Sequence, residues 1–313
     1  MRRALPKWIW PIVQLAIAVA LLALLWRAAD GPAAARRLAT ANWPWLALAV
    51  AVLTLQTILS ALRWRLTATQ LGMSFGAGHA IREYYLAQIV NQSLPGGMIG
   101  DAGRAYRARA QAGLMASGQA VVIERLVGQI AMFLTMAATF LATSLVPGGF
   151  DWPRWLAVPV AGLVLAGLAL PLGLWAATLL KGPVGRSAAS AWRLLGRAVA
   201  DRRVLRGQVT LSVGTTVCNL AAFAFCAHAV GVELSLTAIA ALVPLILFTM
   251  LIPISVSGWG LREGAAAALL PLAGASASGG LASSVAFGLS FIVAVLPGLI
   301  FLRLKPRAAG VKL

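Results

Sequence analysis

The chain has 313 residues, 60% of them hydrophobic and only 11% charged, with a mean hydropathy of +0.87. A soluble domain carries about a quarter charged residues, so this composition excludes a water-soluble globule and specifies an integral membrane protein. The net charge of +18 does not indicate nucleic-acid binding, because the basic residues fall in short loops between apolar spans, as positive-inside topology requires.

Arg2, Arg3 and Lys7 precede an apolar run over 11–26. A first spanning helix is expected there rather than a cleaved signal peptide, since Trp8, Trp10 and Trp26 suit interface anchors and Ala28-Ala29-Asp30 is a poor cleavage site. A second span is expected over 45–62, closed by Arg63-Trp64-Arg65. The run 80–94 is short and contains Arg82, Glu83, Tyr84, Tyr85, Gln88 and Asn91, so it reads as re-entrant or interfacial. Next comes the most polar and glycine-rich stretch, 91–109. Pro95 with Gly96, Gly97, Gly100 and Gly103 predicts that a helix stops near Leu94 and restarts at about Asp101 as N-cap. Arg104 and Arg107 then oppose the dipole of the new helix, and an anion held by them and by the free N–H groups of the helix start would relieve this.

A span over 121–146 begins close to Glu124-Arg125 and ends in a turn over 147–153. Another is expected over 155–180. The loop 181–206 holds seven Lys/Arg against Asp201 alone and reads as an amphipathic surface helix. Spans over 209–230 and 237–256 follow, then a short apolar piece over 265–272, a flexible loop over 274–280 and a final span over 281–302. Cys218 and Cys226 are expected as buried free thiols, and His79 and His228 have no ligand partners at metal spacing.

Pro95, Gly100 and Arg104 stand in the spacing Pro-x4-Gly-x3-Arg, which Pro253, Gly258 and Arg262 repeat. Both copies follow an apolar run and carry an acidic neighbour, Asp101 or Glu263. Paired interrupted segments in two halves of a chain point to a transporter site, so the copies are expected to be two halves of one site. The fold class is therefore all-α and polytopic, with about seven or eight transmembrane helices and broken or re-entrant helices in two pseudo-repeats. One domain fills the chain, divided into halves of about 1–180 and 208–302, the basic loop 181–207 and a basic tail 303–313. Placing both termini, the 63–109 region and the 181–206 loop on one side puts 20 of the 26 Lys/Arg there and four opposite, which predicts a cytoplasmic location for that side.

Asp101, Glu124 and Glu263 each lie in or beside an apolar segment with an arginine nearby: Arg104, Arg125 and Arg262. Charges at membrane depth cost about 2.5–3.5 kcal/mol each and usually mark a pathway, although internal ion pairs are the plainer account. Glu83 with Arg82 reads equally well as a solvated face. Tyr84, Tyr85 and Tyr106 cluster around the first element, as interface anchors or as packing for a headgroup. No nucleophile elbow, Walker loop or credible Ser/His/Asp set is present.

Leu94-Pro95-Gly96-Gly97 with Gly100-Asp101 and Arg104, Glu124-Arg125 with Gly128, and Pro253-Ile254-Ser255 with Gly258-Trp259-Gly260 and Arg262-Glu263 resemble the membrane domain of lysylphosphatidylglycerol synthases and of stand-alone flippase-like proteins. The resemblance covers essentially the whole chain. It implies movement of a phospholipid, hopanoid precursor or polyprenyl-linked amphiphile between leaflets of the inner membrane. No cofactor or metal is expected. The soluble aminoacyl-transferase domain that follows in the synthases is not expected here, as the chain stops soon after its last span. The expected site has Arg104 and Arg262 on a phosphate, helped by Arg107 and by N–H groups near Gly96, Gly97, Gly100 and Gly258, with Tyr106 beside them. Asp101, Glu124, Arg125 and Glu263 position the arginines or meet a cationic headgroup. The alternatives are a glycosyltransferase or lipid-modifying subunit acting on a polyprenyl phosphate, with Asp101, Glu83 or Glu124 as base, and a non-transporting scaffold that recruits a lipid-biosynthesis enzyme.

Overall fold

A computed structural model describes residues 9–93, 98–199, 202–251 and 258–303, and all regular structure among them is helical. The helices are α1 (Ile9–Ala28), α2 (Gly31–Ala39), α3 (Trp43–Gln70), α4 (Ala77–Ser93), α5 (Ile99–Leu145), α6 (Arg154–Thr178), α7 (Pro183–Val199), α8 (Arg202–Ala229), α9 (Leu236–Phe248), α10 (Leu261–Leu269), α11 (Ala277–Val295) and α12 (Pro297–Arg303). Single 3-10 turns follow α9 and α10. Gly96, Gly97 and both motif prolines, Pro95 and Pro253, lie outside the described residues.

Five described helices are long and apolar enough to cross a membrane, or six if α1 and α2, bent by 93°, form one broken span. The all-α polytopic expectation holds. The difference from seven or eight lies in α9 and α10, which at 13 and nine residues fall short of the roughly 20 needed to cross. On α6, Leu165, Leu170, Leu172 and Trp175 are all exposed, an apolar surface that water would not tolerate and that hydrocarbon accommodates.

Two ends of the molecule can be told apart. At the far end Asn42 N–H donates to Ala229 O at 2.8 Å and Arg37 Nη1 to Val230 O at 3.2 Å, tying the start of α3 and helix α2 to the end of α8. Asp30, exposed there, caps α2 by accepting from Ala33 N–H at 3.1 Å. At the near end Ser74 N–H donates to Gln111 Oε1 at 2.9 Å and Arg82 Nη2 to Phe301 O at 3.3 Å.

Although helix runs from Ile99 to Leu145, the backbone breaks at Ala112 and Gly113, where Gly113 takes a φ of 82°. In a straight helix Arg104 and Glu124 would stand about 30 Å apart at 1.5 Å per residue. Instead Arg104 Nη2 lies 3.2 Å from Glu124 Oε2, so the break folds α5 into two antiparallel limbs. The first limb also runs antiparallel to α4. Glu83 pairs with Arg107, and Asn91 bonds Gly100 and Asp101, partners placed symmetrically about the connection from Ser93 to Met98. Helix α4 and the first limb therefore form a hairpin that leaves the near end and returns to it, the re-entrant one of the two paths expected for 80–94.

A second hairpin hangs from the far end. Helix α9 starts there and stops short, and α10 begins beside Met250, whose Cα a Cβ on Gly258 would approach to 3.0 Å. The chain then returns through the Gly274 turn to α11. Gly280 lies against α10 so closely that a Cβ would meet Ala266 O at 2.3 Å. The expected flexible loop over 274–280 is thus half helix, because Ser276 caps α11 by accepting from Gly279 N–H at 3.0 Å. The first hairpin carries Gly100 and Arg104, the second Gly258 and Arg262, and the two approach from opposite ends.

Candidate functional site

Helix α3 presents Gln56, Ser60, Arg63 and Thr67 at helical spacing, a polar stripe inside an apolar span, facing a similar stripe of Gln208, Ser212, Thr215 and Thr216 on α8. Gln208 Nε2 donates to Thr67 Oγ1 at 2.8 Å. Arg63 does not close the span, as expected from sequence. The helix continues to Gln70, and Arg63 is buried, its Nη2 donating to Glu124 Oε1 at 2.8 Å and its Nη1 to Thr215 Oγ1 at 3.3 Å. Gly128, one turn past Glu124, leaves the room: a Cβ there would stand 2.7 Å from Arg63 Nη2.

Arg104 is fully buried. Its Nη2 donates to Asp101 Oδ1 at 2.9 Å and to Glu124 Oε2 at 3.2 Å, and its guanidinium lies between the rings of Trp64 and Tyr84, 4.6 and 4.5 Å from their centroids. Tyr84 OH also donates to Glu124, and Arg125 pairs with Asp101. This network sets Arg63, Arg104 and Arg125 against Asp101 and Glu124, leaving one net positive charge. Asp101 is not an N-cap. Helix α5 starts at Ile99 because the side chain of Asn91 accepts from Gly100 N–H at 2.8 Å, supplying from α4 the cap that Asp101 was expected to give.

Arg262 and Glu263 form a separate, self-neutral unit. Arg262 Nη2 donates to Glu263 Oε1 at 2.5 Å and Arg262 Nε to Ser284 Oγ at 2.9 Å, while Glu263 Oε2 accepts from Gly260 N–H at 2.6 Å. This pins the start of α10 to α11. Glu83, expected at least equally as a solvated residue, is buried and bridges Arg82 and Arg107. Tyr106 is 56% exposed at the near end, with the guanidinium of Arg109 3.5 Å above its ring.

A cavity of about 460 Å³ opens between the hairpins. Its wall includes Arg63, Tyr84, Glu124 and Arg125 together with Met98, Met250, Gly258 and Phe287. Among the predicted site residues, Glu124, Arg125 and Gly258 reach this wall. Arg104 and Asp101 stand behind it, Arg262 and Glu263 stand behind Phe287 and Met250, and Arg107 and Tyr106 face the near end. A second, almost wholly apolar groove of about 720 Å³ runs between α5 and α7, lined by Leu114, Met115, Ile123 and Leu194. Val122 and Leu126 border both spaces. No group of three His, Cys, Asp or Glu able to hold a metal occurs among the described residues.

The sequence matches the family described as the lysylphosphatidylglycerol synthase TM region over residues 12–298. The chain belongs to that family. As a member of the lysylphosphatidylglycerol synthase TM region family, it is a multi-pass membrane protein of a lipid-related group. No curated protein matches the chain.

Proposed function

We propose that this family member carries a singly charged anionic amphiphile between the leaflets of the inner membrane, with the near end on the cytoplasmic side. The observation that carries the reading is the shared wall of Val122 and Leu126, which joins a cavity lined by charged and carboxamide side chains, with one excess positive charge, to an apolar groove. The headgroup sits in the cavity and the hydrocarbon chain in the groove. Arg125, with a side chain 38% exposed, and Arg63 face the anion, while Arg104 holds Asp101 and Glu124 in place from behind. Two hairpins from opposite ends meet at the cavity, so tilting either against the fixed helices opens it to one leaflet at a time, the scheme of inverted-repeat transporters. The transferase alternative needs an accessible carboxylate as base, whereas Asp101, Glu83 and Glu124 are buried and each is paired with two arginines.

The test is leaflet exchange of a fluorescent phospholipid with one headgroup charge, in vesicles containing the full-length protein. Exchange should accelerate over empty vesicles, and Arg125→Gln should slow it by about 10- to 100-fold, the loss of one charge-assisted hydrogen bond of about 1.5–3 kcal/mol. Arg125→Lys should recover part of the rate. Equal exchange in empty and protein-containing vesicles for every anionic lipid tried rejects transport.

A further inference from the structure

The chain has twelve Asn and Gln residues, and seven of them line the one cavity between the hairpins. Such concentration in an apolar chain calls for a reason, because each carboxamide carries donors and an acceptor that hydrocarbon cannot satisfy. Some serve the fold: Gln56 Nε2 donates to Ser60 Oγ at 3.2 Å, and Asn91 caps α5. Gln88 and Gln92 on α4, Gln129 on α5 and Asn219 on α8 make no side-chain hydrogen bond among the described residues. They come from three helices and line the same space as the hydroxyls of Thr215 and Thr216 and the guanidinium groups of Arg63 and Arg125.

A carboxamide is the neutral complement of a hydroxyl, since both donate and accept. A cationic headgroup would call for carboxylates, and the two near the cavity are already held by three guanidinium groups. A bare phosphate would need only the arginines. We propose that the headgroup is a polyhydroxylated one, a ring polyol or sugar joined through a single phosphodiester, with the phosphodiester at Arg125 and Arg63 and the hydroxyls at Gln88, Gln92, Gln129 and Asn219. The volume of about 460 Å³ is within the range of small-ligand sites. This rests on the amphiphile-transport reading and names the chemical class that the same cavity selects.

The experiment is a binding competition with full-length protein in lipid nanodiscs, read by native mass spectrometry, using three lipids of equal charge. Phosphatidylinositol presents a hydroxylated ring, phosphatidylglycerol a short polyol and phosphatidylmethanol no hydroxyl. Two neutral hydrogen bonds of about 0.5–1.5 kcal/mol each predict a preference of about tenfold for phosphatidylinositol over phosphatidylmethanol, with phosphatidylglycerol between them. Gln88→Leu and Asn219→Leu should each cut that preference several-fold. Both variants remove side chains that make no hydrogen bond among the described residues, so their thermal midpoints should match or exceed that of the parent protein. Equal binding of all three lipids overturns this inference and leaves anionic-lipid transport standing, whereas binding of none overturns both. A preference that both leucine variants retain in full overturns the assignment to the carboxamides.

Discussion

Replacing Gly128 by alanine sets two opposing effects against each other in the middle of the charged network. In a helix interior alanine is favoured over glycine by about 1 kcal/mol. Against this, the new Cβ would stand 2.7 Å from Arg63 Nη2 and 3.4 Å from its Cζ, and the guanidinium cannot swing aside without leaving Glu124 at 2.8 Å and Thr215 at 3.3 Å. Losing one charge-assisted hydrogen bond costs about 1.5–3 kcal/mol. The difference predicts a net destabilisation of about 0.5–2 kcal/mol. In an Arg63→Met background the clash and the bond are both gone, so the same Gly128→Ala change should stabilise by about 1 kcal/mol. The assay is a double-mutant cycle on thermal or denaturant unfolding in detergent, followed by tryptophan fluorescence. A coupling of about 1.5–3 kcal/mol is expected. If Gly128→Ala acts with the same sign and size in both backgrounds, Arg63 does not cross α5 as described.

Removing the charge of Glu263 leaves the buried Arg262 guanidinium unneutralised, so Glu263→Gln should destabilise by about 3–5 kcal/mol, and adding Arg262→Gln should recover most of it in the same unfolding assay. A double variant as unstable as the single one contradicts the pair. Gly280→Ala, which drives a Cβ to 2.3 Å from Ala266 O, should cost about 1–3 kcal/mol. Gly173→Ala on α6, with nothing within 4 Å, should be neutral or stabilise by about 1 kcal/mol, and similar midpoints for the two variants would show that α10 and α11 are not in backbone contact. With Cys218 and Cys226 replaced, Gln111→Cys should react with an impermeant maleimide only from the cytoplasm, and Arg36→Cys only from the other side. Labelling of both from one side refutes the placement of the ends.

Much of the architecture could be read before any coordinates, because burial in lipid writes itself into composition. The short, charge-bearing run at 80–94 signalled a re-entrant or interfacial helix, and Gly100, Arg104, Gly258 and Arg262 of the repeated spacing fall on the two hairpins. The network itself was harder to see. Arg63 sits three and seven residues after Ser60 and Gln56, a polar face visible at helical spacing, yet beside Trp64 and Arg65 it looked like the basic end of a span. The pairing of Arg104 with Glu124 depends on the reversal at Gly113, one glycine among 31, with no proline beside it to mark a turn. Asn91 as the cap for α5 is a contact between helices, and local capping rules single out Asp101 instead.

The doubling back of α5 also dictates an order of assembly. Arg104 and Glu124 are 20 positions apart and Asp101 and Arg125 are 24, so loop closure is short and the contacts are local by the standards of a chain of 313 residues. During synthesis at about 5–20 residues per second, however, Arg104 leaves the ribosome roughly 1–4 s before Glu124 follows. Through that interval the first limb has Asp101 but lacks its second carboxylate, and a segment carrying Arg104, Arg107 and Arg109 has every reason to wait at the headgroup layer. The pairing of Arg104 with Glu124 therefore waits for the second limb, whereas Arg107 can pair with Glu83 of α4 as soon as the first limb is made.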